Sequence, residues 1–313
     1  MNAPLLEVHQ INITYGRFRA VDNVSFILQP GQLLGLIGPN GAGKSSTLRA
    51  IAGLQPLASG AIRVLGYDVF QNPTIVGNHL GFAPDTPQVY DTLTVEQFLG
   101  FIARCYRMPL ALARDRIDYW LTQLWLTEKK DAKVSALSRG MRQRLAVART
   151  LMPDPHVILL DEPAAGLDPA GRVQFRQLLA NLRDQGKAVI VSSHILADLA
   201  EYCTHVAIMG NGRILQYGTV GDVASGTIQK TVQFRVTLAR RMGDLAARLG
   251  RIPDFPAGQY DGDVFMVDIS PDRAEAAELL RKLLDAGVPV AEFRALEPSL
   301  EQAYLRAGIA QVD

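Results

Sequence analysis

Leu33-Leu34-Gly35-Leu36-Ile37-Gly38-Pro39-Asn40-Gly41-Ala42-Gly43-Lys44-Ser45-Ser46 is the stretch on which the reading of the fold turns. A short apolar run, Leu33–Ile37, has the length of a strand buried on both faces. Gly38 to Ser45 then follows the spacing Gly-x-x-x-x-Gly-Lys-Ser, and a helical pattern opens at Ser46 and runs to Ala52. Strand, glycine-rich loop and helix in that order are the context in which this spacing cradles phosphate. Glycines let backbone amides turn inward toward phosphate oxygens, with Pro39, Asn40 and Ala42 completing the loop. Lys44 brings a cation to the terminal phosphates, Ser45 a hydroxyl for a divalent metal, and Ser46 lies beside it at the helix start.

Working outward, Val157-Ile158-Leu159-Leu160, Ala188-Val189-Ile190-Val191 and Val206-Ala207-Ile208-Met209 are further short apolar runs. With amphipathic helical stretches between them, they predict an α/β fold around a parallel sheet. The run at Val157 ends in Asp161-Glu162. One carboxylate at a strand end can hold Mg²⁺ beside the loop, and its neighbour can polarise a water as general base. His194 follows Ser192-Ser193 at the end of another apolar run, where an imidazole can reach the γ-phosphate. Helical spacing is also expected over residues 95–106, 113–125 and Ser135 to Met152, with Ser138 as an N-cap whose helix end favours anions. Gly210-Asn211-Gly212 predicts a hairpin turn.

Bulk composition narrows the class. Thirty-two basic against 31 acidic residues leave a net charge of +1, which argues against a strongly basic nucleic-acid binder. Arg139, Arg142, Arg144 and Arg149 form a basic run, but without aromatic interleaving no nucleic-acid partner is expected. Two widely spaced cysteines, Cys105 and Cys203, argue for a reducing compartment and against a disulfide or zinc scaffold. Neither a secretory leader nor an apolar run of about 18 residues is visible, so a cytoplasmic chain is expected.

The chain turns polar and glycine-containing near Tyr217–Gly226, and a domain boundary is expected there, giving domains 1–219 and 220–313. The second part holds 11 basic and 14 acidic residues, so the basic surplus belongs to the first. Alternation at Val232, Phe234, Val236 and Leu238, and again at Phe265, Val267 and Ile269, predicts strands. A helix from Ser270-Pro271 to about Ala286, a strand near Val288–Phe293 and a helix capped at Ser299 complete a small α+β layer of ferredoxin-like type.

Taken together, these motifs resemble the ATP-binding subunit of ABC transporters over residues 5–219. Leu137-Ser138-Arg139-Gly140-Met141 stands where that family has its signature, and Gly166-Leu167-Asp168 resembles its D-loop. Tyr15 sits where the family stacks an aromatic ring on adenine. The resemblance implies a P-loop NTPase core with a helical subdomain at about 86–155, ATP and Mg²⁺ as ligands, and ATP hydrolysis. It also implies a head-to-tail homodimer in which Ser138, Gly140 and Asp168 of one subunit meet ATP held by the other. The signature departs from the family pattern at Arg139 and Met141, which replace the commoner Gly and Gln, and the Q-loop departs from it at residue 85. Asp85 occupies the place of the Q-loop glutamine and is a candidate metal ligand, with Gln88 as its competitor. The variant signature, the acid in the Q-loop and Glu297–Leu305 resemble the exporter subgroup whose partner is a separate ABC-2 type permease. That implies a peripheral place on the cytoplasmic face of the membrane and a drug, lipid, polymer or ion cargo. The alternatives are a non-transport ABC protein acting on ribosomes or DNA, against which one P-loop and no heptad run weigh, and a solute importer subunit.

Overall fold

The computed structural model describes residues 3–193, 199–225, 232–253, 255, 260–269, 273–296, 300 and 304. They form two compact units divided between Val220 and Gly221.

The first unit holds two sheets. β1 (Leu6–Tyr15) and β2 (Phe18–Leu28) form an antiparallel hairpin, and β4 (Ser59–Val64) and β5 (Tyr67–Asp68) extend it in the order β2-β1-β4-β5. The other sheet contains β3 (Leu33–Ile37), β6 (Leu80–Ala83), β7 (Val157–Asp161), β8 (Ala188–Ser193), β9 (His205–Gly210) and β10 (Arg213–Thr219). Its order is β10-β9-β3-β8-β7-β6. All pairs among β3 and β6–β9 are parallel, and only β10 runs antiparallel to its neighbour. Every residue of β3, β7 and β8 is buried, as expected of strands whose two faces both pack. α1 (Lys44–Ile51) sets Leu48 and Ile51 into a core shared with Ile11 and Ile13 of β1 and with Leu34 and Leu36 of β3.

Short α2 (Pro73–His79) leads into β6, and α3 (Val95–Cys105), α4 (Leu110–Gln123) and α5 (Arg139–Leu151) lie in sequence between β6 and β7. Thr94 and Gln97 close a capping box on α3, which sets its start where the spacing predicts. α4 begins earlier than expected, directly after Pro109, whose ring cannot continue a helix backwards. α5 begins later than expected. Val134–Ala136 forms a 3₁₀ turn, Leu137 is extended, and the Ser138 side chain accepts the Met141 N–H. That bond fixes the helix start at Arg139. α6 (Pro169–Asp184) is capped by Asp168, whose carboxylate accepts the Gly171 N–H at 2.9 Å. The turn between β9 and β10 has positive φ at Asn211 and Gly212, the hairpin geometry expected of that pair. Past Tyr217, Thr219 still pairs with His205, and α7 (Val220–Ser225) follows.

The second unit contains β11 (Val232–Leu238), α8 (Leu245–Leu249), β12 (Tyr260–Asp261), β13 (Val264–Ile269), α9 (Arg273–Asp285) and β14 (Val290–Ala295). Its antiparallel sheet runs β12-β13-β11-β14. Connectivity β-α-β-β-α-β in this order is the ferredoxin-like arrangement. Val236, Leu238, Phe265, Val267, Leu279 and Leu283 form its core. β12 escapes sequence reading because two residues carry no periodicity. The expected helix starts at Ser270-Pro271 and Ser299 lie outside the described residues, although Leu300 and Tyr304 are helical and buried. Among the described residues, no helix is long and apolar enough to cross a membrane.

Candidate active site

The loop after β3 delivers Gly43 to the N-cap of α1 with φ 100°. A Cβ there would sit 2.6 Å from the Ala20 carbonyl oxygen, so neither the backbone conformation nor the space admits a larger residue. Held this way, the loop lines a cleft of about 280 Å³ that contains Tyr15, Phe18, Pro39 to Ser46, Asp85 and Glu162. Lys44 is buried, and its ammonium donates to the carbonyls of Gly38 at 2.6 Å and Pro39 at 3.2 Å. Burial pulls its pKa below the ordinary lysine value, while the Glu162 and Asp161 carboxylates pull the other way. The cation is therefore aimed along the loop among groups with which an incoming phosphate would exchange hydrogen bonds.

Asp161 ends β7 and is 1% exposed. Ser192 Oγ, on the neighbouring strand β8, donates to Asp161 Oδ1 at 2.6 Å and accepts the Glu162 N–H at 2.9 Å. The pairing Asp161↔Ser192 in the parallel register creates this contact. Glu162 stands just past the strand with φ 48°, which turns its side chain out of the sheet and into the cleft. Asp161 and Ser45 line a second cavity, of about 640 Å³, together with Asp85 and Gln88. Asp85 thus borders both cavities, whereas Gln88 borders only the larger.

Tyr15 is 44% and Phe18 64% exposed on the rim of the loop cleft. They are cross-strand partners, and the Tyr15 hydroxyl lies 3.4 Å from Ser46 Oγ. Ser138, Gly140 and Asp168 do not line the loop cleft; each sits at or near the start of a helix. Gly140 packs so closely on the following loop that a Cβ would meet the Gly166 carbonyl oxygen at 2.9 Å. Arg139, Glu162, Gly166 and Arg172 border a further cavity of about 300 Å³ with Ser193. His194 lies outside the described residues.

Two contributors escape sequence reading. Arg149 of α5 is not on a solvated face: its guanidinium donates to the carbonyls of Phe82 at 3.0 Å and Gln88 at 3.2 Å. It thereby holds the chain on both sides of Asp85. Burial lowers its pKa, opposed by Tyr106 and Tyr90. Ser192 is the other, and its signal is a polar residue closing an apolar strand beside the one that ends in Asp161. Arg142, also in the basic run, pairs with Asp91 at 2.9 Å and with backbone carbonyls.

Residues 21–165 match the ABC transporter family model. Over 305 residues the chain is 30% identical to the linearmycin resistance ATP-binding protein LnrL of Bacillus subtilis, spanning 96% of this chain and 97% of that one. The chain belongs to the ABC transporter ATP-binding proteins. It is 35% identical to the Nod factor export ATP-binding protein I of Ralstonia nicotianae, over 69% of this chain and 68% of that one. A solved ATP-binding subunit of an ABC transporter superposes with a TM-score of 0.67 at 30% identity, covering 71% of this chain and 93% of that chain. The chain is accordingly an ABC ATPase, a transporter subunit that binds and hydrolyses ATP.

The donor set fits both parts of that ligand. A glycine-containing loop lining the cleft, with one buried ammonium, suits a polyphosphate. The Ser45 hydroxyl and the buried Asp161 carboxylate are hard oxygen donors of the kind Mg²⁺ takes, and they border one cavity.

Proposed function

We propose that this chain powers an exporter of the ABC-2 type, as a homodimer docked on a separate transmembrane permease at the cytoplasmic face of the membrane. Residues 1–219 act as the nucleotide-binding domain, with its helical subdomain at about 86–155, and residues 220–313 as an accessory domain. The observation that carries the reading is the division of the motif residues within one chain. Tyr15, the loop, Asp85 and Glu162 share a cleft, while Ser138 and Gly140 stand at the start of α5 outside its lining. A second copy is then needed to bring a helix N-terminus to the far side of the γ-phosphate. The name of one curated relative, the Nod factor export ATP-binding protein I, favours an exporter over an importer.

In this mechanism Tyr15 stacks on adenine, and the backbone N–H groups of residues 40–46 together with Lys44 hold the β- and γ-phosphates. Ser45, Asp161 and Asp85 would hold Mg²⁺, which supplies neutralisation of phosphate charge. Glu162 accepts the proton of the attacking water, and His194 contacts the γ-phosphate. Ser138 and Gly140 of the partner close the site, with Asp168 near the contact, and hydrolysis reopens it. The larger cavity joins the metal carboxylates to Tyr106 and Arg149 of the helical part. Docking of the permease there would couple closure to transport.

Glu162→Gln tests the sandwich. The amide cannot take the proton, so the variant should bind ATP, hydrolyse it very slowly, and appear by light scattering as a dimer that the wild type forms only transiently. A monomer at saturating ATP, with binding demonstrated, would contradict the homodimer. Co-purification of the full chain with a membrane protein from its own cells tests the permease partner.

A further inference from the structure

At the opposite end of the sheet from the nucleotide cleft, two histidines meet. His79 ends α2 immediately before β6, and His156 immediately precedes β7. Because Leu80 pairs with Val157 in the parallel register, the two histidines stand side by side. Backbone contact fixes them further: the His156 N–H donates to the His79 carbonyl at 2.9 Å. Their rings lie edge to face with centroids 5.0 Å apart, and the two Nδ1 atoms approach to 3.2 Å. The ATP reaction uses neither residue.

We propose that His79 and His156 form a binding site for a divalent transition-metal ion of borderline softness, with Zn²⁺ as the natural probe. Imidazole is the preferred ligand of such ions, and Zn–N bonds are about 2.0–2.1 Å long. An ion at that distance from both Nδ1 atoms, themselves 3.2 Å apart, subtends an angle of roughly 100°. That is close to a tetrahedral angle. The position also favours a cation because His79 closes a helix, where the carbonyl ends carry partial negative charge. Asp154 and Lys187 are the charged groups facing His156. Asp154 is engaged by Lys187 at 2.5 Å and by Arg116 at 3.5 Å. No group of three or more His, Cys, Asp or Glu residues poised to hold a metal occurs among the described residues. The site is therefore a two-imidazole one, completed by water. A bound ion would staple the end of α2 to the start of β7, and α2 supplies Pro73, Val76 and Gly77 to the larger cavity.

The test is a calorimetric titration of the full chain with ZnCl₂, without nucleotide or Mg²⁺, at a pH where imidazole is neutral. The wild type should show a binding step that weakens by about tenfold or more in both His79→Asn and His156→Asn, a loss of about 1.4 kcal/mol. Melting in EDTA checks that the variants fold. Zn²⁺ should raise the melting temperature of the wild type only. Identical titrations of the three proteins would overturn the site and leave an imidazole–imidazole hydrogen bond. Should either variant fail to fold, wild-type crystals soaked in Zn²⁺ decide. An anomalous peak bonded to both Nδ1 atoms supports the proposal, and no peak there refutes it.

Discussion

Ser192 Oγ stands 2.6 Å from Asp161 Oδ1, and the same oxygen accepts the N–H of Glu162. One hydroxyl on a neighbouring strand thus orients both acids of the site. Ser192→Ala leaves a buried carboxylate oxygen and a backbone N–H without this partner, a loss of about 1–3 kcal/mol in denaturant unfolding. Turnover should fall by roughly tenfold or more, since Glu162, the proposed general base, loses a contact that fixes its backbone. Nucleotide affinity, measured with a fluorescent ATP analogue, should change far less.

Lys44→Ala removes the only ammonium that lines the cleft around the loop among the described residues. Since that cation is the one proposed to compensate charge building on the phosphates, hydrolysis should fall by about 10²-fold or more. Phosphate release reads the effect directly, and turnover at the wild-type rate would refute the assignment of Lys44.

Asp85 and Gln88 separate cleanly by geometry. Asp85 borders both the loop cleft and the larger cavity, and Gln88 only the latter. Asp85→Asn should therefore raise the Mg²⁺ concentration needed for half-maximal hydrolysis, while Gln88→Ala leaves that curve in place. The reverse result would hand the metal role to Gln88.

The two thiols should react very differently. Cys105 is exposed. Cys203 is half-buried as a residue, but its Sγ would lie 3.1 Å from a Cβ on Gly35, deep against β3. Burial pushes its pKa far above the ordinary thiol range, so little thiolate forms at neutral pH. Iodoacetamide should add one carbamidomethyl group to the native chain, read by intact mass. A second should appear only on unfolding.

The parts of this site that sequence reading captures are those carried by local pattern. Leu33 to Ser46 contains its own strand, loop and helix start, and Val157–Glu162 its own strand end, so each can be read without its neighbours. Ser192 and Arg149 act across about 30 and 60 residues of chain. No periodicity links Ser192 to Asp161; only the parallel register does. Arg149 looks like any solvated helical arginine until α5 packs against β6. Element starts at Pro109 and Ser138 differ from the expected ones for a related reason. Apolar spacing marks the helix face, whereas a proline or a capping hydroxyl chooses the first residue. Within the second unit, β12 is too short to show alternation, yet it completes the ferredoxin-like order.

The left-handed backbone at Glu162, φ 48°, limits how its chemistry can be dissected. An L-residue holds that conformation at a conformational cost, and β-branched side chains tolerate it worst. Val, Ile or Thr at this position would distort the peptide next to Asp161 and silence the enzyme for steric reasons. Glycine would relax the turn while deleting the carboxylate, mixing a gain in backbone ease with a chemical loss. Gln keeps the shape and the torsional burden and alters only proton affinity. Any comparison of natural or engineered variants at residue 162 therefore has to be sorted first by what each side chain does to the main chain, and only then by what it does to water.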